Sequence, residues 1–152
     1  MEKILSKIDE LLEKPCYLID IFPRTVPGSR DGRYFKVEEY LQKNRGVWNE
    51  KFCTLLLKLY CYYDLWVSAG EELAENPEPE VLAGWIRHCF DGGWKERDYI
   101  NIILPKCSAM VILNGDDLYL RLYGPDEQLL DLVSQLAGAE GLFVYKAPGT
   151  QG

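Results

Sequence analysis

Apolar positions recur along this chain with two different spacings, and together the spacings predict a mixture of helices and strands. Residues 2–13 and 80–91 carry apolar side chains every three to four positions, which predicts an amphipathic helix in each range. Residues 125–137 show the same spacing and follow a glycine that precedes Pro125, an order that favours a helix start. We expect all three helices to pack one apolar face on a core.

A further helix is predicted over residues 32–46 from its end signals. Asp31 can cap its start, and Glu39 lies four residues before Lys43, the spacing at which a glutamate and a lysine pair on a helix surface. Gly46 stands where a helix would end.

The longest apolar run predicts a helix over residues 49–68 at the centre of the molecule. Its polar residues Lys51, Thr54 and Lys58 form only a narrow stripe, and a helix that is apolar almost all round packs on several sides. We expect Trp66 in this helix, and Trp85 in the next, to be core residues. The glutamate-rich segment 70–80 is predicted to be a solvated connector.

Shorter apolar runs with turn signals on both sides predict strands. Residues 16–22 and 142–146 are two of them, and a hairpin is predicted around the Asn-Gly turn at 114–115. Residues 95–104 fit either a short helix or a strand from Tyr99. We favour the helix, because Asp98 can cap it and Pro105 can end it.

The order of these elements predicts an α+β fold in a single domain over residues 1–147, with 148–152 as a flexible tail. Several helices would pack around the central apolar helix and a small mixed sheet. The sheet would include a C-terminal β-hairpin–α–β unit. The strand–helix–strand part of that unit, 117–146, should make a right-handed crossover, which places its two strands parallel.

The charge of the chain excludes some classes of partner. It has 17 basic and 24 acidic residues, a formal net charge of -7, which argues against a general nucleic-acid binder or a basic membrane-surface protein. The most apolar stretch, 52–67, is too short to span a bilayer, and the N-terminal residues lack the pattern of a signal peptide. We therefore expect no membrane association.

Reactive residues give no catalytic or metal motif. The five cysteines lack the spacing of a disulfide framework or a zinc site, which predicts free thiols and a cytoplasmic location. The only histidine, His88, falls at the rim of its helix's apolar stripe without a nucleophile beside it. We expect no metal and no cofactor, and the absence of a motif favours a protein that is not an enzyme.

One basic loop stands out in this acidic chain. Residues 23–33 contain Arg24, Arg30 and Arg33 and follow a strand in which Asp20 interrupts an apolar run. A buried carboxylate needs a partner, so one of these arginines is expected to pair with Asp20. Alternatively, the arginines could bind phosphate or carboxylate groups of a ligand.

The leading functional hypothesis is a non-catalytic cytoplasmic protein-interaction or regulatory domain whose partner is another protein. Tyr119, Arg121 and Tyr123 project from one face of a predicted strand, and tyrosine and arginine are enriched at interfaces. The alternative is a protein that binds, or an enzyme that acts on, a small anionic ligand through the loop 23–33.

Overall fold

A seven-stranded antiparallel sheet organises the chain, and helices pack on both of its faces. The computed structural model describes residues 2–26, 32–91 and 99–148. The helices are α1 (Glu2–Leu11), α2 (Arg33–Lys43), α3 (Gly46–Tyr60), α4 (Pro79–Asp91) and α5 (Glu127–Ala139). The strands are β1 (Cys16–Asp20), β2 (Trp66–Ala69), β3 (Glu72–Glu75), β4 (Tyr99–Leu104), β5 (Ala109–Asn114), β6 (Tyr119–Tyr123) and β7 (Phe143–Lys146). The predicted α+β class is confirmed.

The strand order is β3-β2-β4-β5-β6-β1-β7, and every neighbouring pair is antiparallel. The sheet is therefore not the small mixed sheet that the sequence predicts. Strand β1 lies between β6 and β7 and is antiparallel to both. Strands β6 and β7 therefore run in the same direction, as predicted, but β1 lies between them and they do not pair with each other.

The core lies mainly on the sheet face that α3, α4 and α5 cover. Phe52 and Leu56 of α3, Phe90 of α4 and Val133 of α5 are fully buried there against alternate sheet residues such as Ile102. Helix α1 covers part of the opposite face, over β2, β4 and β5, where Ile4 and Leu11 pack against Ile103 and Met110. The residues packed under α1 include Tyr123, the last residue of β6, but none from β1 or β7, so α1 does not cover the other part of this face.

The predicted long central helix is wrong at both ends. Helix α3 begins at Gly46 and ends at Tyr60, and residues 66–69 form β2 instead. An apolar run alone does not separate a buried helix from a buried strand that follows it. Gly46 does not end α2, because α2 closes one turn earlier, where the Asn44 N–H donates to the carbonyls of Tyr40 and Leu41. The predicted cap Asp31 lies outside the described residues.

Two further segments form strands where the sequence suggested otherwise. The glutamate-rich connector contains β3, which pairs with β2 across a turn where Gly70 has a φ of 61°. Tyr99–Leu104 is strand β4, not the favoured helix, and it hydrogen-bonds to β2 on one side and β5 on the other. Residues 95–98 lie outside the described chain. Pairing on both sides outweighs the local helix signals at Asp98 and Pro105.

The predicted helices at 2–13, 80–91 and 125–137 and the hairpin of β5 and β6 are confirmed, with boundaries shifted by a few residues. Asp126 caps α5, because its carboxylate accepts a hydrogen bond from the Leu129 N–H at 2.8 Å. The tryptophans are less buried than expected. Trp66 and Trp85 are both half-buried at the margins of the core.

Candidate functional site

A cleft of about 400 Å³ opens on the second face of the sheet, where α1 does not reach. Its floor comes from β1, β6 and β7, which contribute Leu18, Asp20, Tyr119 and Tyr145. Alternate residues of these strands, such as Ile19, point into the main core, so the floor residues face the other way. One wall is α2, and another is the turn between β5 and β6.

Asp20 is the most buried carboxylate of this cleft, with 6% of its surface exposed. Its Oδ1 accepts a hydrogen bond from the Ile21 N–H at 2.7 Å, and its Oδ2 accepts one from the Tyr145 hydroxyl. Burial raises the pKa of Asp20, while hydrogen bonds from Tyr145, Phe22 and Ile21 oppose the rise. Burial also raises the pKa of Tyr145, and its hydrogen bond to Asp20 adds to that rise.

The predicted ion pair between Asp20 and the basic loop is therefore wrong for the arginines that the structure describes. Arg24 and Arg33 are exposed, neither lines the cleft, and neither forms an ion pair with Asp20. Arg30 lies outside the described residues. The partner of Asp20 is a tyrosine 125 residues away in sequence, brought to it by the pairing of β1 with β7.

Helix α2 supplies a second tyrosine–carboxylate pair to the cleft wall. Tyr34 and Glu38 are four residues apart and lie on one side of the helix, and the Tyr34 hydroxyl donates to Glu38 Oε2 at 3.0 Å. Burial, with the nearby negative charge of Glu38, raises the pKa of Tyr34 to about 12. The Tyr34 ring lies 6.4 Å from the Phe22 ring, centroid to centroid, so two aromatic side chains stand together at this wall.

The turn between β5 and β6 adds Asp116 and Asp117 to the cleft. Burial raises the pKa of Asp117, and the positive charge of Arg121 opposes that rise. Arg121 itself lies over the Tyr119 ring, 5.8 Å from its centroid. Tyr119 thus belongs to the cleft and Arg121 lies beside it.

Arg45 holds this turn in place from behind. It is only 5% exposed, between α2 and α3. Its Nη2 donates to the Asp117 carbonyl at 2.7 Å, its Nη1 donates to the Gly115 carbonyl, and its Nε donates to Asn49 Oδ1 at 3.0 Å. Gln42 of α2 adds a 2.8 Å hydrogen bond to the Asp116 carbonyl. The helices therefore fix the position of the acidic turn.

The described lining of the cleft is acidic and aromatic. It includes four carboxylates and four aromatic rings and no basic side chain among the described residues. The carboxylates are those of Asp20, Glu38, Asp116 and Asp117, and the rings are those of Phe22, Tyr34, Tyr119 and Tyr145. A site of this composition attracts a cation, through charge and through the negative faces of the rings.

Several residues that the sequence analysis singled out do not line the cleft. Tyr123 is half-buried against the cluster under α1 and does not line the cleft. His88 is exposed on α4, at a smaller hollow of about 250 Å³ beside Trp85 and Glu72. All five cysteines are free thiols. Within the described ranges, no group of three or more His, Cys, Asp or Glu side chains is arranged to hold a metal ion.

Sequence reasoning identified Asp20 and Tyr119 but missed the rest of the cleft. One local signal was present, since Tyr34 and Glu38 have the four-residue spacing that places them on one helix side. Tyr145 had no such signal, because only the order of the strands brings it to Asp20.

No helix in the part of the chain that the structure covers has both the length and the apolar character needed to cross a bilayer. Comparison with known protein families, with characterised proteins and with solved structures finds no significant match to this chain.

Proposed function

We propose that this protein is a non-catalytic interaction module that binds a positively charged segment of another protein in the cleft on β1, β6 and β7. The observation that carries the proposal is the lining of the cleft, in which four carboxylates and four aromatic rings meet without a basic side chain among the described residues. A lysine or arginine side chain of a partner supplies the missing charge.

The surroundings of the cleft support a protein as the partner. Tyr119 contributes to its floor and Arg121 lies beside it, and tyrosine and arginine are over-represented where proteins meet. The net charge of -7 over the whole chain draws a basic partner toward the protein before contact. Free thiols at all five cysteines fit the reducing environment of the cytoplasm.

A non-catalytic role is favoured by what the described lining contains. It holds no Cys, His, Ser or Lys among the described residues, and its polar side chains are carboxylates, tyrosines and one threonine. Asp20 and Glu38 already accept hydrogen bonds from tyrosine hydroxyls of the same chain. These contacts hold both carboxylates in place.

The proposal is tested with two peptides of equal length, one lysine-rich and one glutamate-rich, titrated into the full chain at low and high salt. We expect the basic peptide to bind, with an affinity that falls as salt rises. Asp117→Asn and Glu38→Gln should each weaken binding several-fold, whereas Glu80→Gln, an exposed change on α4, should not.

The same measurement, extended to inorganic phosphate, tests the alternative in which the loop 23–33 binds an anionic ligand. If phosphate or the acidic peptide binds, and Arg24→Ala removes that binding, the loop 23–33 is the site and the cleft proposal is wrong. Equal binding of the basic peptide to wild type and to both cleft variants would also contradict the proposal.

A further inference from the structure

Two of the four cleft carboxylates, those of Asp20 and Glu38, already use part of their hydrogen-bonding capacity within the chain. Both oxygens of Asp20 accept hydrogen bonds from its own chain, one from the Ile21 N–H at 2.7 Å and one from the Tyr145 hydroxyl. Glu38 Oε2 accepts one from the Tyr34 hydroxyl at 3.0 Å. At Asp20 and at Glu38 Oε2, an incoming donor must therefore share the oxygen or displace a donor of the same chain.

The tyrosines that occupy these oxygens also present their rings to the cleft. Tyr34 and Tyr145 line it together with Phe22 and Tyr119. A ring face attracts a cation within about 6 Å of its centroid without a hydrogen bond from the cation. Each of these two tyrosines thus uses up a hydrogen-bond acceptor and adds an aromatic surface.

This combination separates one kind of cation from another. A primary ammonium group is compact and strongly hydrated, and its three N–H donors need acceptors when water is removed. A quaternary ammonium group has no donor and a larger apolar surface, and it requires only negative charge and aromatic faces. The volume of the cleft, about 400 Å³, is ample for such a group.

We propose that the cleft binds a methylated ammonium group in preference to the primary ammonium of lysine. The group would belong to a trimethylated lysine of a partner or to a free quaternary amine. This inference rests on the proposed function, since it assumes that the cleft takes a cation. It adds the chemical class of that cation.

The test compares four ligands on the full chain by calorimetry or NMR titration. Two are the same peptide with lysine or with trimethyllysine at one position, and two are choline and its neutral isostere 3,3-dimethyl-1-butanol. We expect the trimethyllysine peptide to bind about ten-fold more tightly than the lysine peptide, and choline to bind more tightly than its neutral isostere. If choline binds as tightly as the trimethyllysine peptide, the methylated group belongs to a small molecule. If choline binds much more weakly than that peptide, the group belongs to a modified protein.

Tyr145→Phe examines the hydrogen-bond argument, because it keeps the ring and frees Oδ2 of Asp20. The preference for trimethyllysine over lysine should shrink several-fold in this variant. Tyr34→Phe does the same at Glu38 and serves as the second variant if the first fails to fold. Tyr62→Phe, at an exposed tyrosine beyond the end of α3, is the matched control and should leave the preference unchanged.

The outcomes separate the two proposals. Tighter binding of the lysine peptide, weakened several-fold by Asp117→Asn, would overturn the preference for a methylated group and leave the proposed function standing. A preference that persists unchanged in both tyrosine variants would overturn the hydrogen-bond argument behind the inference. Absence of binding by all three cations would overturn both proposals.

Discussion

Asp20 shows how a single buried acid is accommodated without a basic partner among the described residues. The fold surrounds its carboxylate with the Tyr145 hydroxyl and two backbone N–H groups. These donors offset part of the cost of removing the charge from water, and the raised pKa measures the part that they do not offset.

Asp20→Asn should therefore change how stability depends on pH. Because burial raises the folded pKa of Asp20, the folded chain binds this proton more tightly than the unfolded chain. The stability that this group contributes is complete below the ordinary Asp pKa, about 3.9, and is lost as pH rises through the raised folded value. The free energy of unfolding of wild type relative to the variant should fall over that window, which urea titrations at a series of pH values measure.

Glu50→Gln is expected to change the pH dependence of stability in the opposite direction. A hydrogen bond from Arg87 lowers the pKa of Glu50, so its contribution is present at higher pH and lost on acidification. If Asp20→Asn gave the same trend as Glu50→Gln, the burial of Asp20 would not control its ionisation.

Arg45→Ala should destabilise the protein and loosen the acidic turn. It leaves the Gly115 and Asp117 carbonyls without their donor, at a cost of about 1–3 kcal/mol for each buried acceptor left unpaired. Lys43→Ala, which removes an exposed helix pair with Glu39, should cost no more than about 0.5 kcal/mol. Equal urea midpoints for the two variants would contradict the structural role of Arg45.

The cleft residues show what the sequence could and could not predict at this scale. The sequence predicts that Asp20 is buried and needs a partner, because it is the one acid in an apolar strand. The identity of that partner could not be predicted from the sequence. The arginines are close to Asp20 in sequence, whereas Tyr145 comes near it only through the pairing of β1 with β7. Arg45 was overlooked for the same reason, since the turn that it holds is about 70 residues away.

At the scale of elements, helices with a clear apolar stripe and short apolar strands between turn signals were predictable, whereas β2, β3 and β4 were not. Helices α1, α4 and α5 have one buried face and one exposed face, and the 3.6-residue period marks both. Strands β2 and β4 are central in the sheet and partly buried on both faces, so no alternation separates them from helix. Their identity depends on pairing partners distant in sequence.

Leu56→Ala tests the packing of α3 on the sheet. Leu56 is fully buried in the main core, and truncating a buried leucine costs about 2–5 kcal/mol. Val47→Ala in the same helix is the control, because Val47 is 62% exposed and its truncation should be nearly silent. Denaturant unfolding measures both, and a Leu56→Ala protein as stable as the Val47→Ala protein would show that α3 is not the core helix.

At the scale of the molecule, the two sheet faces are used differently. One face carries three helices and most of the core, and the other is divided between α1 and the cleft. The acidic groups of the cleft are part of the net charge of -7 that the whole chain carries. Mutual repulsion among these charges opposes folding.

Added sodium chloride should therefore stabilise the protein. Raising ionic strength from about 0.01 to about 0.15 M shortens the screening length from about 30 to about 8 Å. If this relieves about 1 kcal/mol of repulsion, the melting temperature should rise by about 2–4 °C for a chain of this size. Differential scanning calorimetry measures the shift, and a melting temperature that falls with salt would indicate that attractive pairs dominate.

The position of β1 between β6 and β7 has a consequence for the protein while it is being made. Both neighbours of β1 are translated roughly 100 or more residues after it, β6 first and β7 later, which takes on the order of ten seconds at about 5–20 residues per second. During that time the apolar β1 segment lacks both of the strands with which it pairs in the folded protein. Asp20 is solvated in the nascent chain, and its charge then opposes association with other exposed strands. The carboxylate that is costly to bury in the finished fold thus protects the same strand from aggregation during synthesis.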